Sequence, residues 1–426
     1  MPGDKSISHR AAIIAALADG SSHLSNYSTS QDCAATLSCL GSLGVPIDRK
    51  GENLRIDGLG TKGLNASPAP LDCGNSGSTM RMLAGVLAGQ DFVSVLTGDA
   101  SLRSRPMKRI VEPLVLMGAR VDSEDSRPPL RIHGSNPLKP ISYDLPVASA
   151  QVKSCILLAA LNANGRTEVV ERLGPTRDHT ERMLQWFNVS LEIDADPVGS
   201  SANTIAINGP VSYTSRDVSI PGDISSAAFL IGAAAMLPGS DLQVQNIGLN
   251  PTRAQILTLL ISLGFDIQIT GTREDCNEPL GDLIVRGKAR ICDAGSRLPG
   301  SINGPLIAQL IDELPLLAVL GSRLSGGLEI RDASELRWKE TDRIAATVAN
   351  LRAMGAEVEE YDDGLAVAGP TALRGAKLDS FGDHRIAMAF TVAALLADSA
   401  SELSGADCVA VSFPEFFTLL DSVVGR

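Results

Sequence analysis

A chain of 426 residues, 44% hydrophobic and 20% charged, has enough apolar content to bury large cores, and its length suits two or three domains better than one. A formal net charge of -12 excludes general nucleic-acid binding, which needs a positive field, so any anionic substrate must meet local cations. Apolar runs end at a Gly or a charge before the length of about 18 residues that a membrane span needs. The start Met1 to Lys5 has no charged segment followed by an apolar one, so no signal peptide and a cytoplasmic location are expected.

In chain order, the first element is PGDKSISHRAAIIAALADG from Pro2, a polar loop feeding a short Ala- and Leu-rich helix that ends at Gly or Asp. The same unit recurs at intervals of roughly seventy to ninety residues, the signature of a repeat architecture. It returns as LDCGNSGSTMRMLAGVLAG from Leu71, DLPVASAQVKSCILLAAL from Asp144 and SIPGDISSAAFLIGAAAMLPG from Ser219. The last two copies run from Gly304 to Gly321 and, as LDSFGDHRIAMAFTVAALLAD, from Leu378. Ser, Asp or Asn near each helix start predicts capping, and Pro315 suits a first turn.

Most copies are followed by a second, amphipathic helix ending in a related phrase: LGVPI at Leu43, MGARV at Met117, FNVSLEI at Phe187, LGFDI at Leu263 and MGAEV at Met354. The Gly or Asn predicts a helix stop before a strand. Met107, Ile110, Leu114 and Met117 keep helical spacing, as do Ile344, Val348 and Leu351. Phe413 to Val424 is the sixth such helix, and the strand after it is expected from elsewhere in the chain, closing the array. Helices apolar on every side belong inside a core and amphipathic ones cover it, so three units per domain bury three inner helices each, with the seam near Val218 to Gly222. Each loop then opens on a helix amino terminus, a ready anion site.

The loops hold the chemistry-bearing residues. Lys5, Ser6 and Arg10 cluster at the first inner helix, either as a phosphate or carboxylate site or as chance cations in a solvated loop. Gly74 to Arg81 offers two glycines and small polar residues, which either bring backbone N–H groups to a ligand or form a capped turn. Arg103 to Arg109 holds four cations in an otherwise acidic protein, with Pro106 at an expected helix start. The third unit offers Ser149, Ala150, Gln151 and Lys153, then Thr176, Arg177, Asp178 and His179. Arg177 can fork onto phosphate oxygens, whereas His179 between acidic neighbours reads as an ion-pair or structural histidine. In RWKETDR, Lys339 and Arg343 stand four apart and are expected on one helix face, a like-charge tension that an anion site tolerates. Arg385 adds a cation at the sixth inner helix. Asp312 and Glu313 precede Pro315 in an apolar run, so at least one carboxylate is expected to be partly buried, as a cap or as a general base. No metal-ligand spacing, P-loop or GxGxxG fingerprint accompanies these residues, so no cofactor or metal is expected. The seven cysteines, Cys33, Cys39, Cys73, Cys155, Cys276, Cys292 and Cys408, are never spaced CxxC and read as reduced structural thiols.

PGDKSISHR, GNSGSTMR, the RP at Arg105, SAQVK, RDHTE, DELP, KETDR, GDHR and SFPEFF, in this order from Pro2 to Phe417, resemble the motif set of the 5-enolpyruvylshikimate-3-phosphate synthase family. SAQVK and RDHTE resemble its class II bacterial branch. The resemblance implies an α/β (α+β) chain with a two-domain inverse α/β barrel-like fold of six βαβαββ repeats, three per domain. The domains would be residues 5–220, on the shikimate 3-phosphate side, and residues 1–4 with 221–426, with the active site in the cleft between them. The implied activity transfers the enolpyruvyl group of phosphoenolpyruvate to the 5-hydroxyl of shikimate 3-phosphate, releasing phosphate.

Carried over by position, the resemblance implies that Lys5, Ser6, Arg10, Ser149, Ala150, Gln151, Arg177, Asp312 and Lys339 contact shikimate 3-phosphate. Lys5, Asn75, Gly77, Arg105, Gln151, Arg343 and Arg385 would contact phosphoenolpyruvate. Asp312 would take the proton of the attacking hydroxyl with Lys339 beside it, and Glu340 or Lys5 would move protons at the enol carbon. A monomer without nucleic-acid or membrane partners is implied, with glyphosate as an inhibitor; Ser78 and Met82 depart from the Thr and Pro of many sensitive relatives and predict weaker glyphosate binding. Two further departures are that the chain begins near the lysine loop, without the leading strand of relatives, and that Val411 and Ser412 stand where some relatives have a Lys. A UDP-N-acetylglucosamine enolpyruvyl transferase would resemble the same architecture but commonly has a cysteine in the loop matching GDASLRSRP, Gly98 to Pro106. A repeat protein that only binds anions is the rival from another class, and it would make Asp312 and Glu340 dispensable caps.

Overall fold

Five of the six inner helices begin at a side chain that accepts a hydrogen bond from the helix's own first turn. Asp4, Ser76, Ser149, Asp223 and Asp383 cap the helices Lys5–Ala16, Gly77–Ala88, Ala150–Ala160, Ile224–Met236 and His384–Leu395. The fifth copy departs from this pattern: a short helix Pro305–Leu310 precedes Leu314–Gly321, whose cap residue Glu313 makes no capping bond. These positions come from a computed structural model that describes residues 1–194, 202–287 and 301–425; Cys292 lies outside the described residues.

The chain divides into two compact units. One comprises Gly3–Ile220 with Glu274–Glu278, and the other Met1–Pro2, Pro221–Arg273 and the chain from Pro279 onward. The first contains three four-stranded sheets of one design, in which a parallel pair is followed by two antiparallel neighbours. Leu71–Asp72 pairs in parallel with Val93–Thr97, and the helix Gly77–Ala88 crosses between them; Arg127–His133 and Arg120–Glu124 complete that sheet. Ser142–Asp144, Gly165–Glu171, Asn203–Gly209 and Leu191–Asp194 repeat the pattern. In the sheet built on Asp19–Ser25, the leading strand is Val218–Ser219 from the far end of the unit, where Leu24 pairs with Val218.

In the second unit, Ser301–Ile302, Leu328–Ile330, Gly364–Val367 and Val358–Tyr361 follow the same design. The fourth copy has the three strands Asp241–Gly248, Glu278–Arg286 and Asp266–Asp275, with a lone Gly222–Ile247 bridge in the leading position. The sixth copy has the parallel pair Lys377–Asp379 and Glu402–Ser404. The strand expected after the sixth outer helix, Phe416–Val423, is not found among the described residues, and closure by a distant segment occurs in the first sheet instead.

The inner helices are buried on nearly all sides: all eight residues of Leu314–Gly321 are buried, as are Ile224 to Ala235. Gly85 brings two of them together, because a Cβ there would lie 2.1 Å from the Cys155 carbonyl oxygen. The outer helices bury one stripe, with Met107, Ile110, Leu114 and Met117 inside. They stop where the phrases above predict, at Gly44, Gly118, Asn188, Gly264 and Gly355, all with positive φ. Pro106 is not a helix start: it lies between Ala100–Ser104 and Lys108–Leu116.

Candidate active site

The first unit contributes the starts of three inner helices. Lys5 Nζ lies 2.9 Å from Asp32 Oδ2. One turn on, Arg10 is held through each guanidinium nitrogen: Nε donates to Thr180 Oγ1 at 2.7 Å, Nη1 to the Ser6 carbonyl at 2.8 Å and Nη2 to Ser154 Oγ at 2.9 Å. His9, between Lys5 and Arg10, is buried, and burial together with those two cations holds its pKa well below the usual value, so it adds no charge.

At the second start, Arg105 comes out of the basic run and closes onto Asn75, its Nη2 2.7 Å from Asn75 Oδ1 and 3.1 Å from Ser101 Oγ. Asn75 Nδ2 donates to Asp99 Oδ2 at 2.7 Å, which fixes its amide. The Gly77 backbone lies under two guanidinium groups, since a Cβ there would stand 2.6 Å from Arg81 Nη1 and 3.5 Å from Arg105 Nη1. Arg81 Nη1 donates to Gln151 Oε1 at 2.6 Å, and Gln151 Nε2 to Ser78 Oγ at 2.9 Å, linking the second and third starts. In the sequence Arg81 is only the end of the loop Gly74 to Arg81; the signal for it is a cation four residues after Gly77.

At the third start, Ser149 caps and Ala150 and Gln151 form the first turn. Lys153 is not a ligand cation: it is 1% exposed, with Nζ 2.6 Å from Glu181 Oε1 and 3.1 Å from Glu171 Oε1. Burial alone would lower its pKa, but the two carboxylates outweigh that and hold the ammonium raised. Glu171 also accepts from the Thr176 amide at 3.0 Å, tying down the turn that presents half-buried Arg177. His179 Nδ1 lies 2.7 Å from Glu278 Oε1, both buried, which is the structural histidine expected.

In the second unit, Asp312, Glu340 and Asp383 gather around Arg343. Its Nε lies 2.8 Å from Asp383 Oδ2, Nη2 2.7 Å from Glu340 Oε2, and Nη1 3.5 Å from Asp312 Oδ1. Burial opposes the charge, but the three carboxylates overcome it and raise the guanidinium pKa further. Lys339 and Arg343 do not share a helix face. Lys339 ends the turn Ser334–Trp338, and Asp342 starts a new helix, Arg343–Ala353, by accepting from the Ile344 and Ala345 amides. Burial pushes the Lys339 pKa below its usual value, with Asp312 pulling it up and Arg343 down. Glu313, not Asp312, is the deeply buried carboxylate of its pair, while Asp312 retains 18% side-chain exposure. Arg385 Nη1 donates to the Ser225 carbonyl at 3.1 Å. Arg343 Nη1 and Arg385 Nε are buried and make no hydrogen bond among the described residues.

These helix starts offer hydrogen-bond donors suited to anions, and in the second unit three carboxylates surround the Arg343 guanidinium while Arg343 and Asp312 both act on the depressed Lys339. Among the described residues, no group of three or more His, Cys, Asp or Glu side chains could hold a metal ion, and no helix is long and apolar enough to cross a membrane.

Comparison with known proteins identifies the family. Residues 1–420 match the family described as EPSP synthase (3-phosphoshikimate 1-carboxyvinyltransferase). The chain is 49% identical to the 3-phosphoshikimate 1-carboxyvinyltransferase of Koribacter versatilis (strain Ellin345), covering 100% of this chain and 96% of that one. It is 48% identical to the enzyme of the same name from Pelotomaculum thermopropionicum, covering 100% and 95%. An EPSP synthase structure from Acinetobacter baumannii superposes with a TM-score of 0.84 at 38% identity, over 99% of this chain and 94% of that one. The enolpyruvyl transferase NikO from Streptomyces tendae shares the fold, with a TM-score of 0.75 at 17% identity over 99% and 93%. By its full-length match in sequence and in fold, the chain belongs to the EPSP synthase family, the 3-phosphoshikimate 1-carboxyvinyltransferases.

Proposed function

We propose that the chain carries out its family's reaction, transfer of the carboxyvinyl group of phosphoenolpyruvate to the 5-hydroxyl of shikimate 3-phosphate. The observation that carries this reading is two buried donors that make no hydrogen bond among the described residues, Arg343 Nη1, which lies beside Asp312 with Glu340 on the same guanidinium, and Arg385 Nε. A buried donor left unmade is costly, and an anionic substrate satisfies it.

Asp312 takes the proton of the 5-hydroxyl as its oxygen attacks C2 of phosphoenolpyruvate, and the Lys339 ammonium stabilises the developing alkoxide. Glu340 or Lys5 delivers a proton to C3, giving a tetrahedral adduct with a methyl group. Removal of a methyl proton then restores the double bond as the C2–O bond to phosphate breaks. Lys5, Asn75, the Gly77 backbone, Arg105, Gln151, Arg343 and Arg385 hold phosphoenolpyruvate. Ser6, Arg10, Ser149, Ala150, Gln151 and Arg177 hold shikimate 3-phosphate with Lys5, Asp312 and Lys339. Fixed cations aimed at charge that develops in the transition state supply the rate.

We further propose a cytoplasmic monomer whose competition by glyphosate against phosphoenolpyruvate is weak. Ser78 accepts from Gln151 and Met82 is buried in the helix Gly77–Ala88, both at the proposed phosphoenolpyruvate site. Phosphate release with phosphoenolpyruvate plus shikimate 3-phosphate, beside a reaction offering UDP-N-acetylglucosamine, tests the substrate. Release only with the nucleotide sugar overturns it, and competitive inhibition by sub-micromolar glyphosate overturns the inhibitor reading.

A further inference from the structure

We propose that Ser225, Glu313 and Arg253 form a buried positioning network that sets the Asp312 carboxylate and the Arg385 guanidinium; the inference rests on the roles given above to those two residues. Ser225 is 0% exposed and bonded in four directions. Its amide donates to Asp223 Oδ1 at 2.9 Å, and its hydroxyl donates to Glu313 Oε1. The hydroxyl oxygen accepts from Arg253 Nη2 at 2.6 Å, and the carbonyl accepts from Arg385 Nη1 at 3.1 Å. One serine therefore joins the starts of three inner helices, those at Asp223, Glu313 and Asp383.

Helix capping does not account for this arrangement. Asp223 already caps its helix, and Glu313, although at the cap position of Leu314–Gly321, makes no capping bond to it. Its carboxylate, 1% exposed, is spent on a different helix. A carboxylate buried at the mouth of an apolar helix is costly unless held, and this one is held by a hydroxyl that Arg253 orients in turn. The residue before it is Asp312, whose carboxylate must meet a substrate hydroxyl. With Glu313 clamped, the backbone at Asp312 cannot drift toward or away from Arg343, which lies 3.5 Å from it. Arg385 is fixed from the other side, since its partner is the backbone carbonyl of the clamped serine. Misplacement of a reacting group by 1 Å can cost about 100-fold in rate, so residues that touch no substrate still set kcat.

The test compares Glu313→Leu, Glu313→Gln, Ser225→Ala and Ser225→Thr by steady-state kinetics in both substrates, with kcat expressed per folded molecule and melting temperature recorded beside it. Expected is a fall in kcat of about 100-fold for Glu313→Leu, with the KM for shikimate 3-phosphate changed by less than about threefold. Glu313→Gln, which keeps an acceptor for the hydroxyl, and Ser225→Thr, which keeps the hydroxyl, recover to within about tenfold of wild type. If Glu313→Leu does not fold, Ser225→Ala is read in its place. Unchanged kcat with only a lowered melting temperature overturns the network as a positioning device. Asp312→Asn is measured alongside: full kcat in that variant removes the base role itself, whereas loss there with full kcat in Glu313→Leu removes only the positioning.

Discussion

Lys153 Nζ lies 2.6 Å from Glu181 Oε1 inside the first unit, with neither side chain more than 4% exposed. The Lys153→Met variant leaves Glu181 and Glu171 buried without their cation, which costs about 3–5 kcal/mol of unfolding free energy at neutral pH. Burial raises the Glu181 pKa above its ordinary 4.5 even with the lysine present. A raised folded-state carboxylate favours the fold while protonated, and that contribution is lost as pH rises through the folded value. The Lys153→Met deficit should therefore shrink on acidification from about pH 7 to about pH 5. Urea unfolding of both proteins at the two pH values checks the size and the direction.

With the role proposed for Lys339, its depressed pKa predicts an alkaline limit for the reaction. Its pKa is lowered from 10.5, chiefly by burial, and the protonated form is the one that stabilises an alkoxide. Activity should fall as pH rises through a value below 10.5, and Lys339→Arg, which stays charged, should move that limb upward. A pH profile of kcat with both substrates saturating decides; identical alkaline limbs in the two proteins would remove the lysine from the step.

Arg343→Lys keeps one charge but loses the fork that reaches Asp383 and Glu340 from separate nitrogens. The expected loss in kcat/KM for phosphoenolpyruvate is about 100-fold, comparable with removing one preorganised donor to a developing charge. Steady-state kinetics on the purified variant measure it.

Gly77→Ala places a Cβ 2.6 Å from Arg81 Nη1, so Arg81 must swing away and release Gln151. Loss of one charge-assisted hydrogen bond at this site should raise the KM for phosphoenolpyruvate by about tenfold or more. The double variant Gly77→Ala, Arg81→Ala should show little further rise, because the second change removes what the first displaces; additive losses would contradict the steric account.

Burial pushes the thiols of Cys33, Cys155 and Cys276 up to about 12, so at pH 7.5 the folded protein should leave all three unmodified by iodoacetamide. Cys408 is half-buried and should react before them. Peptide mass spectrometry after timed alkylation maps the order.

What the sequence made legible was local. A cap at Ser76 or Asp383 and a stop at Asn188 depend on residues within one helical turn, and the buried stripe from Met107 to Met117 depends on spacing alone. What it hid was charge meeting charge across long separations. Lys153 stands in the sequence beside Ser149 and Gln151 with no sign of Glu171 and Glu181, which come to it from beyond the helix. Lys339 and Arg343 read as one face until Asp342 breaks the helix between them. The Ser225 bond to Glu313 spans 88 positions, and periodicity contains no sign of it.

The pairing of Leu24 with Val218 also orders events during synthesis. At roughly 5–20 residues per second, the ribosome needs on the order of 10–40 s after Ser25 to produce the strand that completes that sheet. His179 waits about half as long, on the order of 5–20 s, for Glu278. Through the longer interval the edge of Asp19–Ser25 that Val218–Ser219 will cover is open to any passing strand, an exposure of the nascent chain that the finished sheet removes.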